Sequence, residues 1–510
     1  MKNKRSKLLL LLMTSILQAQ DYSARILDSI SQEPIPFANI TVSNKTGVIS
    51  NEEGRFRLRY SDKIEATDTL IISSMGYHPY RNALATFSDS LIYLAPQPIA
   101  LSSVIVSNKQ MDIETIMENI LTNIKEKYDF GVSQKQLFLR ESGNQEFLRM
   151  QTDITKSSIP EFNQRFFDSI LRQMPQKNAY YLETLADLYG DLTKETQKIN
   201  IIKAVELIDK KNEISFENFE KRFNSILNKR IKKDSYFKIK SGWFGNKVEA
   251  EDFFEMEEQP LDSTDLKAQA LKLKEDEKND SIRKRNFSKG RKNVLAAIFS
   301  SLFEDDEWRI KILKKDYQYN FELTEYTFLG DTPVYIVSFS PKNKGKYQGT
   351  LYIDADRLVL TRIDYKSTQR LRNFKLLGLY FRHQTREGKI IFKLLENEKY
   401  ALHYFEQKNG FEMGIDRPLK IIEKNKNVKG RRKQNELAMD LKLDMAQENK
   451  LEILVFDTQR MTKEIYQNFK EDNEKLPERI QKYDPEIWKD YNIIEPNQSI
   501  KALKVVPDQD

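Results

Sequence analysis

The sequence has 510 residues, 39% of them hydrophobic, which is enough chain for about three domains and a sizeable core. It carries 83 Lys and Arg against 76 Asp and Glu, a balance that excludes a strongly basic nucleic-acid-binding protein. Cysteine is absent, which excludes disulfides, thiolate metal sites and cysteine nucleophiles.

The first twenty residues have the order of a secretory signal peptide. A basic MKNKRSK precedes ten mostly apolar residues, Leu8 to Leu17, and a polar QAQ. Spanning a bilayer takes about twenty apolar residues. We therefore expect residues 1–20 to be a signal peptide, cleaved near Ala19 to Asp21, and the protein to be exported. No later apolar run is long enough to cross a membrane, which predicts no transmembrane segment in the mature chain.

Residues 21–107 alternate apolar and polar positions in short runs. Ala38, Ile40 and Val42 form one such run, and Phe56 and Leu58 form another. Gly and Pro residues separate the runs. This pattern predicts an antiparallel β-sandwich of the Ig-like or transthyretin-like kind.

The same stretch resembles the carboxypeptidase-regulatory-like (CarboxypepD_reg-like) domain. The matching features are a strand ending in Asp28, the EPIPFANITV run, Gly47 before NEEGRFRL, and SSMGY after an apolar lead-in. The resemblance implies a domain of the Gram-negative cell envelope, similar to those that precede TonB-dependent receptors. It implies no activity.

Residues 108–261 are predicted to mix helices and strands. The periodicity indicates helices at 112–128, 161–174 and 216–231. Gly143-Asn144 is predicted to join two strands by a turn. Residues 262–293 are mostly charged, which is typical of a linker or a solvated helix.

Residues 294–462 alternate with a period of two, which predicts a large antiparallel sheet. Turns are expected at Gly330-Asp331, Asn343 to Gly345, Asp354 to Asp356 and Glu387-Gly388. The order VYIVSFSP followed by GTLYIDADRLVLTRIDY resembles the curved half-barrel of periplasmic lipoprotein carriers. Residues 463–510 are predicted to be a polar, partly helical tail. The fold class is thus a β-rich, multi-domain α+β protein.

The search for catalytic chemistry predicts no catalytic residue, metal or cofactor. A zinc carboxypeptidase needs two His and one Glu, but His78, His383 and His403 are scattered. His403 and Glu406 lie three apart on a predicted strand, so they face opposite ways, and His403 is expected on the sheet surface. A weak calcium site at Asp354 and Asp356 is an alternative to an ordinary turn.

Two predicted surfaces remain. The first is a contact surface for a glycan, peptide or partner protein, as an alternative to an ordinary strand and turn. Its residues are Tyr236, Lys238, Lys240, Trp243 and Phe244. The second is a contact for anionic lipid headgroups, as an alternative to a solvated hairpin loop. Its residues are Lys429, Arg431, Arg432 and Lys433.

We therefore expect a non-enzymatic envelope protein of the periplasm, or one peripheral to the outer membrane, that serves as a binding or assembly module. Its expected partners are a periplasmic or outer-membrane protein, a glycan or a lipid headgroup, and not nucleic acid. A lipid or lipoprotein carrier and a hydrolase with carboxylates assembled by the fold are the alternatives. A deep apolar cavity would favour the carrier, a polar cleft with paired carboxylates the hydrolase, and a closed core with an exposed patch the binding module.

Overall fold

The computed structural model describes residues 20–43, 46–60, 65, 67–97, 112–207, 210–232, 235–242, 244–249, 266–303, 312–313, 318–425, 427, 432–472 and 474–501. The chain divides into two units. The first comprises Met1–Pro98, Phe328–Asp331 and Pro485–Asn497, and the second comprises the rest. Residues 1–19 of the predicted signal peptide lie outside the described residues.

The described part of the first unit contains seven strands in two sheets. They are β1 (Gln20–Asp28), β2 (Asn39–Val42), β3 (Thr46–Ile49), β4 (Arg55–Tyr60), β5 (Thr69–Ser73), β6 (Tyr80–Ala83) and β7 (Leu91–Leu94). The sheet orders are β4-β1-β7 and β3-β2-β5-β6. Only β1 and β7 among these neighbours are parallel. The predicted β-sandwich is confirmed.

The alternation along β4 sets which side chains enter this core. Phe56 and Leu58 are buried, whereas Arg57 between them forms an ion pair with Asp21 at 2.6 Å. Gly54 precedes the strand with a φ of 73°, a conformation that strains any residue with a Cβ. A Cβ there would also press on the carbonyl oxygen of Ile26. The turn before β4 therefore requires glycine.

The segment Pro485–Asn497 completes the edge of this unit. Strand β4 is an edge strand of its sheet, so alternate backbone groups of β4 point away from β1. The amide of Asn492 pairs with two of them: its Oδ1 accepts from the Arg59 N–H at 2.7 Å, and its Nδ2 donates to the Arg59 carbonyl at 3.0 Å. Asn51 donates to the Glu495 carbonyl at 3.2 Å. The side-chain amide of Asn492 offers one donor and one acceptor, as the backbone of a neighbouring strand would. Part of the predicted tail 463–510 thus belongs to the sandwich unit.

The second unit is built on one large sheet. Its strands are β8 (Ser133–Ser157), β9 (Lys177–Gly190), β10 (Lys198–Leu207), β11 (Ser235–Ser241), β12 (Phe244–Glu249), β13 (Tyr319–Leu329), β14 (Thr332–Pro341), β15 (Tyr347–Asp354), β16 (Val359–Ser367), β17 (Arg372–Leu376), β18 (Leu379–Leu394), β19 (Tyr400–Asn425), β20 (Lys433–Arg460) and β21 (Glu478–Ile480). The order is β13-β14-β15-β16-β18-β19-β20-β8-β9-β10-β21, with the β11–β12 hairpin paired to β19 and with β17 paired to β18.

The helices are α1 (Ile113–Lys127), α2 (Gln164–Gln173), α3 (Lys210–Arg230), α4 (Leu266–Ser300), α5 (Lys463–Asn468) and α6 (Gln498–Lys501). Asp112 caps α1 by accepting from the Thr115 N–H at 2.7 Å, as its sequence position predicts. The charged stretch at 262–293 contains most of α4 and is thus a helix over the residues that the structure describes. None of the described helices is long and apolar enough to cross a membrane.

Strands from the predicted regions 108–261 and 294–462 pair in the same sheet, because β8 pairs with β20 and β11 pairs with β19. Two predicted turns are wrong. Gly143-Asn144 lies inside the 25-residue β8, and Glu387-Gly388 lies inside β18. Each is hydrogen-bonded into ladders on both sides, and these long-range pairings outweigh a local turn preference.

Among the described residues of the second unit, two buried clusters lie at opposite ends of the long strands. The larger contains α1 and the last turns of α4, with Ile116, Leu295 and Phe299 packed against residues of the sheet. The smaller contains Ile159 and Phe162 beside α2, together with Leu437 of β20, and Phe223 of α3 packs against it. Between the clusters, β8, β18, β19 and β20 continue as paired strands.

Candidate functional site

The section of sheet between the two clusters has solvent access on both faces. We call it the open section: residues 143–152, 372–383, 409–417 and 441–449. Most side chains here are half-exposed, and the large apolar ones on these strands belong to neither buried cluster described above. A sheet whose two faces are both partly accessible to solvent is unusual, because a sheet normally buries at least one face.

One face of the open section carries two apolar rows across five strands. The strand register places Phe374, Phe381, Met413, Met445 and Phe147 side by side. The second row consists of Leu376, Leu379, Ile415, Leu443 and Met150. Paired residues share a face, so the ten side chains form one surface. Phe374 is 47% exposed and Leu376 is 53% exposed.

The opposite face carries ion pairs. Arg149 contacts Asp444 at 2.7 Å and Asp416 at 3.2 Å, and Arg382 contacts Glu412 at 3.0 Å. Tyr380 donates to Asp444 at 3.0 Å. The Tyr380 ring lies against Gly414, and a Cβ at position 414 would collide with this ring. The open section is therefore an amphipathic sheet with one apolar and one charged face.

A buried charge network continues the charged face toward the larger cluster. Arg140, 2% exposed, contacts Glu183 at 2.7 Å and Glu452 at 4.0 Å. The Tyr404 hydroxyl donates to Glu406 at 3.0 Å and to Glu452 at 3.2 Å. Burial and these carboxylates raise the pKa of Tyr404 well above its ordinary value. Each carboxylate is therefore paired with a cation or a hydroxyl, which offsets the cost of burying its charge.

The structure brings the two predicted contact surfaces to one end of the sheet. Strand β11 places Tyr236, Lys238 and Lys240 beside β19, and Lys433 opens the adjacent β20. Arg432, the residue before β20, is exposed. Trp243, Lys429 and Arg431 lie outside the described residues, and of Phe244 only the backbone position in β12 is described.

On the other face of the same sheet end lies a small apolar cavity of about 80 Å³. It is lined mainly by Ile159, Phe162, Phe223, Leu227, Phe237 and Ile421. Glu423 at its margin accepts from the Ser235 hydroxyl at 2.7 Å and the Asn435 amide at 2.7 Å. The cavity is smaller than the ~150 Å³ void that admits benzene in an engineered core. It is therefore too small to hold a whole acyl chain.

His403, which the sequence predicts on the sheet surface, is buried. His403 sits at a bulge in β19, where Leu402 and Tyr404 pair with consecutive residues of β18. Its Nδ1 lies 3.0 Å from the Val455 carbonyl, and burial lowers its pKa to about 3. The predicted surface position of His403 is wrong, because the bulge changes the alternation of β19 and the His403 side chain is buried. The described residues contain no group of three side chains suited to a metal ion.

The apolar rows were missed in the sequence, although a signal exists. Apolar residues alternate along ELAMDLKLDMA, and they alternate on both sides of the Leu377-Gly378 turn in NFKLLGLYF. Which face of the sheet remains exposed depends on which strands pair with each other. A single sequence does not specify this pairing.

The chain was compared with known proteins in three ways. A search of the curated proteins found no match. Among solved structures, the chain is similar to the complex structure of Pseudomonas aeruginosa MucA/MucB, at 7% identity, covering 66% of this chain and 93% of that chain. The TM-score is 0.16, and the likeness carries no argument. Residues 22–106 match the family model of the CarboxypepD_reg-like domain, a domain family typical of envelope proteins. The N-terminal sandwich of this chain is therefore a CarboxypepD_reg-like domain.

Proposed function

We propose that the protein is an exported, non-enzymatic binding or assembly module of the periplasm, and that the two apolar rows of the open section bind a partner protein. The observation that carries the proposal is the amphipathic single layer. Ten apolar side chains share one face, and none of them belongs to either of the two buried clusters described above. Contiguous apolar surface rimmed by polar groups marks interaction sites.

An amphipathic helix is the partner element that fits these dimensions. Neighbouring strands lie about 4.8 Å apart, so five strands span roughly 19 Å. Two rows separated by two residues lie roughly 7 Å apart, which is less than the ~10–12 Å diameter of a helix. A helix of about thirteen residues laid along the rows would cover both, at 1.5 Å per residue.

The chain's own packing supports a helix on this face. The face that carries the apolar rows continues into the smaller cluster through Met439 and Leu419, which face each other across β19 and β20. There Phe166 and Phe167 of α2 pack against the cluster. A partner helix would extend the same kind of contact along the sheet.

The test is photo-crosslinking in intact cells. A photoreactive residue replaces Phe374 or, as the control, Lys375, its neighbour on the opposite face of the exposed strand β17. We expect Phe374 to give crosslinks in the envelope fraction to partner positions spaced three or four residues apart, and Lys375 to give few. Crosslinks only to a second copy of this chain, equal crosslinking from both positions, or recovery only from the cytoplasm would overturn the proposal.

The alternatives receive less support. The apolar cavity of about 80 Å³ is too small for a carrier's acyl chain. The larger clefts beside Phe411, of about 640 Å³, and beside Asp364, of about 610 Å³, have linings that mix polar and apolar side chains. The carboxylates of the charge network are held by Arg140, Lys450 and Tyr404, which leaves none poised as a general acid.

A further inference from the structure

The charged face at the far end of the sheet carries a dense group of lysines. It comprises Lys156, Lys238, Lys240, Lys247, Lys420, Lys424 and Lys433, which we call the lysine patch. The acids at matching register positions are Glu436 and, at the edge, Glu249. Asp153 and Asp440 pair with each other in the next row along the strands. Lys156, Lys240 and Lys247 are exposed.

Like charges face each other across the strands of this patch. Lys238 stands opposite Lys247, and Lys240 stands opposite Lys420. Lys424 stands opposite Lys433. Directly opposed like charges destabilise a sheet, so three such pairs in one patch lower the stability of the fold. Departures of this kind from local consistency are expected at functional surfaces.

Glu436 offsets only part of this repulsion. Its carboxylate lies 3.0 Å from the Lys156 ammonium and also pairs with Lys420 and Lys433. These contacts, led by the hydrogen bond from Lys420, lower the pKa of Glu436 to about 2, so it stays ionised. One buried carboxylate shared by three ammonium groups leaves the patch strongly positive.

We propose that the lysine patch binds the phosphate groups of anionic lipid headgroups and holds the protein against a membrane surface. The patch extends over β12, β11, β19, β20 and β8, which is roughly 19 Å at about 4.8 Å per strand. Ammonium groups spread over a sheet face at this scale match an array of headgroups better than they match a single phosphate. Each lysine at such a surface adds to the attraction, and added salt weakens it. This inference does not depend on the partner proposed for the apolar rows.

The test is sedimentation of the full chain with vesicles of phosphatidylcholine alone or with 30% phosphatidylglycerol, a fraction of about one third chosen to give a strongly anionic surface. We expect binding only to the anionic vesicles and a steep loss as salt is raised. Replacing Lys238, Lys240 and Lys247 together by Gln should weaken binding by roughly 100-fold, at about 1 kcal/mol per lysine. The control replaces Lys177, Lys366 and Lys375 by Gln, which are exposed lysines elsewhere on the sheet.

Three outcomes would overturn the proposal: equal binding to both vesicles, equal weakening by both triple variants, or no binding at low salt. A further arm measures direct binding of inorganic polyphosphate in the absence of vesicles. Saturable binding of polyphosphate together with no vesicle binding would assign the patch to a soluble polyanion instead. The unfolding midpoint of each variant, measured in urea, separates loss of binding from loss of fold.

Discussion

Replacing Asn492 by Ala should expose one backbone amide of β4 and leave its neighbours protected. The Arg59 N–H donates to the Asn492 side chain at 2.7 Å, and the Arg59 carbonyl accepts from it at 3.0 Å. In Asn492→Ala both backbone groups lose these partners. The side chain is partly buried, so water can replace part of the loss.

The expected cost is about 1–3 kcal/mol, the range for leaving partly buried hydrogen-bonding groups unsatisfied. At 1.4 kcal/mol per factor of ten, this corresponds to roughly 5- to 100-fold faster exchange of the Arg59 amide with deuterium. The amide of Leu58 should be unaffected locally, because it points toward β1 in the antiparallel ladder.

The assay is residue-resolved hydrogen exchange of the full chain. Asp490→Ala is the matched control: its side chain is 63% exposed and reaches the Arg59 guanidinium at 3.4 Å, a surface ion pair worth about 0–1 kcal/mol. If Arg59 exchange is unchanged in Asn492→Ala, or rises equally in Asp490→Ala, then Pro485–Asn497 does not complete the sandwich edge as described.

Two further predictions concern stability. Gly54→Val should cost about 1–3 kcal/mol, because Gly54 has a φ of 73° and a Cβ would meet the Ile26 carbonyl; an unchanged urea midpoint would contradict this. Glu436 has a folded pKa of about 2 against an ordinary 4.5, so its ion pairs stabilise the fold above pH 4.5 and that contribution is lost as the pH falls toward 2. Urea midpoints measured between pH 5 and pH 2 should therefore fall less steeply in Glu436→Gln than in the parent; equal slopes would show that another group is responsible.

The sequence by itself determined the features whose signals are local. Asp112 marks the start of α1 because a cap acts within one turn of helix. Gly54 marks the turn before β4 because the positive φ is a property of that residue. The alternation of Phe56 and Leu58 predicts their burial, since strand side chains alternate regardless of the partner strand. These local signals, together with ordered motifs, were enough to identify the N-terminal domain.

Only the tertiary structure decided how far the strands run and which surfaces they create. Gly143-Asn144 has turn chemistry, yet β9 and β20 pair with it on both sides and keep β8 continuous. The same register assembles the apolar rows from β8, β17, β18, β19 and β20, and it joins Lys238 of β11 to Lys420 of β19 in one patch. Cross-strand register depends on contacts between residues hundreds of positions apart, and a single sequence records the residues but not their pairing.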